Sequence, residues 1–255
     1  MSKSVLGTLF VSLVLSSCAS GTHHIKRGES DVIGVTLNYN NVYMFKYGDK
    51  AILIDSGLEK DGQDLVDELK EEGVSSSDVN AILITHAHPD HAGGLAALKK
   101  VYDVPVIGGA GDQHMFEAGK LVHKEDALCP TNRMAKRRLE KDGGAEYQGF
   151  TPDVLLESER DLNELVGIPG KVLLRQSHTP GSLIVVSGEV AFVGDLFRGS
   201  IVGKNAETHF YICDLEQNKK DIESLMAITP PIQVFFTGHF GPVEREEVQE
   251  YLDEL

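Results

Sequence analysis

The sequence predicts an α/β protein in which two β-sheets pack face to face and helices cover the outside. Three observations lead there. Short apolar or alternating runs recur in two sets, each with hairpins followed by a helix and a further strand. The chain has 255 residues, enough to bury a full core. The polar residues that can carry chemistry lie in loops directly after strands, as expected where a rigid scaffold presents a site.

The elements follow in order. Val32–Tyr39 and Val42–Tyr47 are β-rich runs broken by Asn40-Asn41, a hairpin signal. Ala51–Ile54 is a third apolar strand, ending in the turn Asp55-Ser56-Gly57. In Gln63–Glu72 the apolar residues Leu65, Val66 and Leu69 have helical spacing, and Gly73 stops the run. Ala81–Ile84 is wholly apolar, as in a strand buried on both faces. Leu95–Tyr102 reads as a helix and Val104–Ile107 as a strand. The polar stretch from Gly111 to Gln148 reads as one or two surface helices. Strands return at Val154–Leu156, Val172–Arg175, Ile184–Val186, Val190–Val193 and Ile232–Phe236. Helices are expected over Leu215–Ile228 and Glu244–Leu255.

Composition narrows the function. Hydrophobic residues make up 41% and charged residues 25%, as in ordinary soluble globular proteins. No low-complexity tract or short repeat interrupts the chain. The formal charge of −15 comes from 39 acidic and 24 basic residues. Such a surface repels phosphate backbones, so no nucleic-acid partner is expected. A metal-charged cleft could still attract an anionic small molecule.

The N-terminus reads as a targeting segment. Val5–Leu15 is an apolar run of signal-peptide length, too short to span a bilayer. It ends in Leu15-Ser16-Ser17-Cys18, which resembles the bacterial lipobox, in which the cysteine is lipidated and becomes the new N-terminus. A plain secretory signal is the alternative. We divide the chain into a signal peptide at 1–17, a lipidated N-terminus and tether at 18–30, and one folded domain at 31–255. His23 and His24 fall in the tether and read as linker residues. This places the protein in the bacterial cell envelope, attached to a membrane through Cys18. Ala19 resembles an outer-membrane sorting signal if the cell is Gram-negative. Oligomeric state stays open. Cys129 and Cys213 read as two separate, mostly buried thiols, although an oxidising envelope would permit a disulfide.

Ten histidines are present, and their arrangement matters more than their number. Thr85–Gly94 reads THAHPDHAGG, directly after a strand. His86 and His88, two apart, can point the same way. Pro89 stiffens the next turn, and Asp90 and His91 are redirected to a second point. Imidazole and carboxylate are the usual ligands of Zn, Fe and Mn. Gly93-Gly94 lets the next helix start close to this loop. His178 before Thr179-Pro180-Gly181, Asp195 after Val193-Gly194, and His239 after Thr237-Gly238 are further donors at strand ends.

HxHxDH, then His before Thr-Pro-Gly, then Gly-Asp, then Gly-His, resembles the metallo-β-lactamase-fold hydrolase superfamily over about Val32 to Leu255. The resemblance implies a four-layer αββα sandwich and two divalent metal ions, Zn first, with Fe or Mn as alternatives. It implies that His86, His88 and His178 hold one ion, that Asp90, His91 and His239 hold the other, and that Asp195 bridges them. Asp55, in an Asp-x-Gly turn, would stand behind a ligand and orient it. The implied chemistry is hydrolysis by a hydroxide held between the ions, with Asp90 orienting it and passing a proton to the leaving group. The expected substrate is a small ester, thioester or lactone. Asp195 sets the chain apart from the antibiotic-hydrolysing branch, so β-lactam hydrolysis is an alternative. Glyoxalase II resembles the metal site, but that protein carries a helical glutathione-binding domain, and only 16 residues follow His239 here. A mononuclear iron persulfide dioxygenase is a second alternative, but it needs fewer of these donors. A metal-retaining binding protein without catalysis is a third, disfavoured because no donor is lost. Arg198, His209 and Tyr211 could line the cleft, or form an ordinary surface loop. Arg133, Lys136, Arg137, Arg138 and Lys141 would give a helix a basic face.

Overall fold

The structure, a computed structural model, describes residues 21–122, 129–142 and 145–255. In the first sheet, β1 (Gly21–Arg27), β2 (Ser30–Leu37), β3 (Asn40–Tyr47), β4 (Lys50–Ile54), β5 (Ala81–Leu83), β6 (Val106–Gly109) and β7 (Val154–Leu156) lie side by side in chain order. β1 to β4 form an antiparallel meander, and β4 to β7 run parallel. The later strands are β8 (Arg160–Asp161), β9 (Lys171–Leu174), β10 (Leu183–Ser187), β11 (Val190–Gly194), β12 (Arg198–Gly199), β13 (Ala206–Glu207), β14 (Val234–Thr237) and β15 (Val243–Glu244). Six of them form the second sheet in the order β15-β14-β11-β10-β9-β8, and β12 pairs with β13 in a small ribbon. The helices are α1 (Gly62–Glu71), α2 (Pro89–Ala92), α3 (Leu95–Leu98), α4 (Gln113–Ala118), α5 (Arg133–Asp142), α6 (Leu162–Val166), α7 (Leu215–Met226) and α8 (Arg245–Glu254).

The two-residue period of the strands builds the layers. Along β3, Val42 and Met44 face α1 and α3, while Tyr43 and Phe45 face the second sheet. Along β10, Leu183 and Val185 face the first sheet, while Ile184 and Val186 face α7 and α8. α1 contributes Leu65, Val66 and Leu69 to one outer core, and α7 contributes Ile222 and Leu225 to the other. Each such side chain stabilises the fold by roughly 1.5–3 kcal/mol relative to exposure. The result is the αββα sandwich read from the sequence.

Strand direction places the site. β4, β5 and β6 are parallel, so the turns after them emerge at one edge. β9, β11 and β14 share a direction in the second sheet, and the loops after them carry His178, Asp195 and His239. The edge is stitched both within the second sheet and across the two sheets. Thr85 O accepts from Leu183 N at 2.8 Å, Gly194 O accepts from Gly238 N at 2.8 Å, and Gly238 O accepts from Asn41 N at 2.8 Å.

Several expectations change. Asn38-Tyr39 forms the β2–β3 turn, with Asn38 at φ 61°, and Asn40 and Asn41 open β3. The Asn41 amide instead donates to Thr237 O at 3.0 Å and to Phe240 O, so it clamps the His239 loop. Residues 21–27 pair with β2 as an edge strand, so the domain reaches beyond the boundary expected at 31, and the tether from Gly21 onward belongs to the sheet. His23 is not a linker residue, because its ring covers Gly34, where a Cβ would collide with it. The helix expected over Leu95–Tyr102 is regular only to Leu98. α4 is an amphipathic surface helix that exposes Gln113, Glu117 and Ala118 and buries Met115 and Phe116. Cys129 and Cys213 are joined in a disulfide, with Cα atoms 4.9 Å apart, rather than standing as separate thiols. The pair is 84 residues apart in sequence, and only the alignment of two loops reveals it. Pro130 bridges Tyr211, Thr131 N donates to Phe210 O at 2.9 Å, and Ile212 N donates to Cys129 O at 3.0 Å. Cys18 and the expected signal peptide lie outside the described residues. Among the described residues no helix is long and apolar enough to cross a membrane.

Burial, reinforced by the neighbouring His24, holds His23 below its ordinary pKa of 6.5. The undocked strand therefore binds a proton that the docked strand does not. The docking contribution of His23 is complete above pH 6.5 and is lost as pH falls below it. Amide protection along β1 should be lower at pH 5.5 than at pH 7.5 after correction for intrinsic exchange, and His23→Phe should remove most of that difference. Equal pH dependence in both proteins would rule the account out.

Candidate metal centre

The site grows from the ends of parallel strands. β5 runs straight into Thr85–His91, and α2 begins at Pro89, whose missing N–H costs nothing in a first helical turn. Its single turn aims Asp90 and His91 toward His239, while the His91 ring stays 4.0 Å from that of His86. Gly94 packs on the Ser56 carbonyl so closely that any Cβ would strike it, which lets the loops after β4 and β5 touch.

The two sets of donors converge. His86 Nε2 and His88 Nδ1 stand 3.1 Å apart, and His178 Nε2 lies 3.2 and 3.1 Å from them. A tetrahedral ion with nitrogen bonds of about 2.0–2.1 Å separates its ligands by about 3.3 Å, close to this triangle. Asp90 Oδ2 lies 3.4 Å from His239 Nε2, and Asp90, His91 and His239 form a second group that could hold a metal. Asp195 stands between them. Its Oδ1 is 3.3 Å from His91 Nε2, and its Oδ2 is 3.3 Å from His239, 3.6 Å from His178 and 3.7 Å from His86. Gly238 leaves space here, since a Cβ would meet both Asp195 and His91.

The outer nitrogens are tied down. His91 Nδ1 pairs with Asp55 Oδ2 at 2.8 Å, His178 Nδ1 with Tyr211 O at 2.7 Å, and His239 Nδ1 with Tyr39 O at 3.0 Å. His86 Nδ1 meets Thr85 Oγ1 at 3.1 Å. A ring whose Nδ1 donates outward keeps an Nε2 lone pair for a metal. Asp55 also accepts from Thr85 N at 2.7 Å and Thr85 Oγ1 at 2.9 Å, so one carboxylate aligns both the loop and His91. It does so at φ 66°, a costly conformation for an aspartate.

Burial and the neighbouring rings of His91, His88 and His178 hold His86 well below the ordinary imidazole pKa. Burial and His178 push His88 down to about 3. Burial favours protonation of Asp195, but His209, His239 and His91 outweigh it and keep the carboxyl ionised. Burial opposes protonation of His91 and His239, but Asp195, with Asp55 for His91 and Asp90 for His239, raises both. A cation entering the second group therefore displaces protons. Buried His91 Nε2, Asp195 Oδ1 and His209 Nε2 lack hydrogen-bond partners. Such atoms are rare unless something else binds them. Convergent imidazoles, ionised carboxylates and orphaned donors fit divalent metal.

Two residues carry more than the sequence suggests. His209 lies inside the centre, 3.1 Å from Asp195 Oδ2 and 2% exposed. Tyr211 contributes its carbonyl to His178. Arg198 is engaged elsewhere, paired with Glu207 and donating to Gly199 O at 2.9 Å. Arg133, Lys136 and Arg137 are exposed on α5.

Asp112 escapes the sequence reading altogether. Fully buried, it accepts from Ala87 N at 3.0 Å, Thr179 Oγ1 at 2.8 Å and Gly181 N at 2.7 Å. It thus fastens the loop of His86 and His88 to the loop of His178. Burial lifts its pKa to about 6 against these hydrogen bonds. The available signal was its position after β6, at the same edge as the other donors. Asp112→Ala orphans three buried donors and should cost about 3 kcal/mol of stability, with weakened metal uptake. Unchanged thermal stability and metal content would refute the tether.

Residues 35–246 match the family described as the Metallo-beta-lactamase superfamily. A probable metallo-hydrolase of Bacillus subtilis, YqgX, is 30% identical over 176 residues, spanning 66% of this chain and 74% of the relative. The hydroxyacylglutathione hydrolase GloC of Haemophilus influenzae is 27% identical, spanning 67% and 73%. Among solved structures, the subclass B3 metallo-β-lactamase MEM-A1 from a soil metagenome library superposes with a TM-score of 0.63 at 16% identity, covering 89% of each chain. That likeness concerns the fold. With its sandwich, its convergent His/Asp donors and a family match over most of its length, the chain belongs to the metallo-β-lactamase superfamily and is a metallo-hydrolase.

Proposed function

We propose that this protein hydrolyses a small ester, thioester or lactone with two divalent ions. His86, His88 and His178 hold one ion, Asp90, His91 and His239 hold the other, and Asp195 is shared. The observation that carries the reading is the position of Asp195, whose two oxygens face donors of both groups. When bound, such a pair supplies Lewis acidity that activates a water and polarises a scissile carbonyl. Zn suits the imidazole-rich first group, and Fe or Mn remains compatible with the second.

The chain's own groups do the rest. Asp90 has a side chain 26% exposed, more open than the 1–5% of His86, His91, His178, Asp195 and His239. It is the group with access to solvent, suited to orient the attacking water and to carry its proton to the leaving group. Asp55, Tyr211 O and Tyr39 O hold His91, His178 and His239 so that the donor geometry precedes substrate binding. The name of the Haemophilus relative supports a thioester within this class. The reading for β-lactams is weaker, because it rests on fold likeness at 16–20% identity.

Purified protein should contain close to two transition-metal ions per chain, and a chelator should abolish hydrolysis of thioesters and lactones. Asp195→Ala should lose metal and at least about 100-fold in kcat/KM, which corresponds to about 2.7 kcal/mol. Full metal content and activity in that variant would sink the shared role. One iron per chain with oxygen consumption would favour a dioxygenase instead.

The Cys129–Cys213 disulfide supports an oxidising compartment. With Val5–Leu15 and the Leu15-Ser16-Ser17-Cys18 sequence, it supports a lipoprotein of the cell envelope. Cys18→Ser should move the protein from the membrane to the soluble fraction of a bacterial host. Continued membrane attachment would exclude lipidation at Cys18.

A further inference from the structure

We infer that His209 is an eighth donor of the centre, ligating through Nε2 the ion held by Asp90, His91 and His239. The inference rests on the two-ion reading above. Three observations carry it. First, the inward nitrogen of His209 is free to offer a lone pair in the tautomer whose Nδ1–H donates to Tyr211 O; in the other tautomer Nδ1 accepts from Tyr211 N–H. Its Nδ1 faces the Tyr211 main chain, 3.4 Å from the carbonyl oxygen and 3.3 Å from the nitrogen, and its Nε2 points inward. Second, that Nε2 is buried without a hydrogen-bond partner, as are His91 Nε2 and Asp195 Oδ1. It lies 3.1 Å from Asp195 Oδ2, yet the two atoms are not aligned as donor and acceptor. A third body that attracts both lone pairs accounts for this approach. Third, Asp195, His209 and His239 each turn one ligand atom into a space in which those atoms lie within 4.8 Å of one another.

The ring is also held in place. It stacks on His239 with centroids 5.3 Å apart and planes 17° apart, and it meets His178 edge-on at 5.0 Å. Thr131 Oγ1 donates to His209 O at 2.9 Å, and the Cys129–Cys213 disulfide closes the same pair of loops. His209 is therefore preorganised by a clasp that HxHxDH does not encode.

The consequence is an asymmetric pair. The first ion keeps His86, His88, His178 and the shared Asp195, a four-donor set suited to tetrahedral zinc. The second gains Asp90, His91, His239, Asp195 and His209, five protein donors that suit an ion of higher coordination number such as Mn²⁺ or Fe²⁺.

The test uses the mature chain with its disulfide intact, stripped of metal and titrated with Zn²⁺, Mn²⁺ or Co²⁺ against a chromophoric chelator. Wild type should show two binding constants. His209→Phe, which fills the space without a donor, should weaken one of them at least about 10-fold, leave the other unchanged and reduce the preference of that position for Mn²⁺ over Zn²⁺. The visible band of the Co²⁺ form should intensify as the coordination number drops. His209→Gln, whose amide oxygen can still ligate, should recover part of the loss. Two unchanged constants with an unchanged Co²⁺ spectrum would overturn the assignment. So would a parallel fall in both constants, which marks a purely structural residue. If wild type takes up a single ion, the two-ion reading fails, and the role of His209 is decided by whether that one constant moves.

Discussion

A buried carboxylate sets the terms for everything around it. The Asp195 side chain is 2% exposed, and burying an ionised carboxyl without compensation costs several kcal/mol. Its neighbours within 3.1–3.7 Å are five imidazole nitrogens, from His86, His91, His178, His209 and His239. Neutral imidazoles offer lone pairs, which do not balance a negative charge. Protons on His91 and His239 meet part of the demand. A divalent cation placed between carboxylate and rings would meet the rest, satisfying both kinds of lone pair at once.

Such a centre needs walls that do not yield, and the sandwich is fastened most densely at this edge. Thr85 alone links three strands: its N–H and hydroxyl reach Asp55 after β4, and its carbonyl takes the first N–H of β10. Asp112 ties the His86 and His178 loops together from below. Asn41 and the hydroxyl of Tyr43, the latter at 2.7 Å from Thr237 O, hold the His239 loop to the first sheet. The rings of His86, His91, His178 and His239 thus each have a partner at the back, Thr85, Asp55, Tyr211 and Tyr39. The strained Asp55 backbone fits this picture, because the surrounding hydrogen bonds overdetermine it.

The features that hold His209 gather on one side of the cleft. The disulfide, the Pro130–Tyr211 bridge and the α5 helix with its exposed Arg133, Lys136 and Arg137 all belong to the segments that present His209 and the Tyr211 carbonyl. The donors His86, His178, Asp195 and His239 follow strands of the sandwich, whereas this side is built largely from loops. Loops on a rigid scaffold are where selectivity for substrate and metal is adjusted without disturbing the core.

Much of this was legible in the residues. Two-residue alternation announced the strands, Gly73 announced the end of α1 at φ 77°, and THAHPDHAGG announced a metal loop, because each of these signals is local in sequence. The donors His178, Asp195 and His239 were legible for a related reason: each follows an apolar strand, and parallel strands must end together. What stayed hidden depends on contacts between distant segments. Asn40-Asn41 has the composition of a turn, yet a loop some 200 residues away claims its amide. Asp112 is one acidic residue among many until three donors close on it. Cys129, Cys213 and His209 have no local pattern at all, and their pairing and aim follow from two loops lying side by side. Local chemistry could name the centre, but only long-range packing could decide which side chains close it.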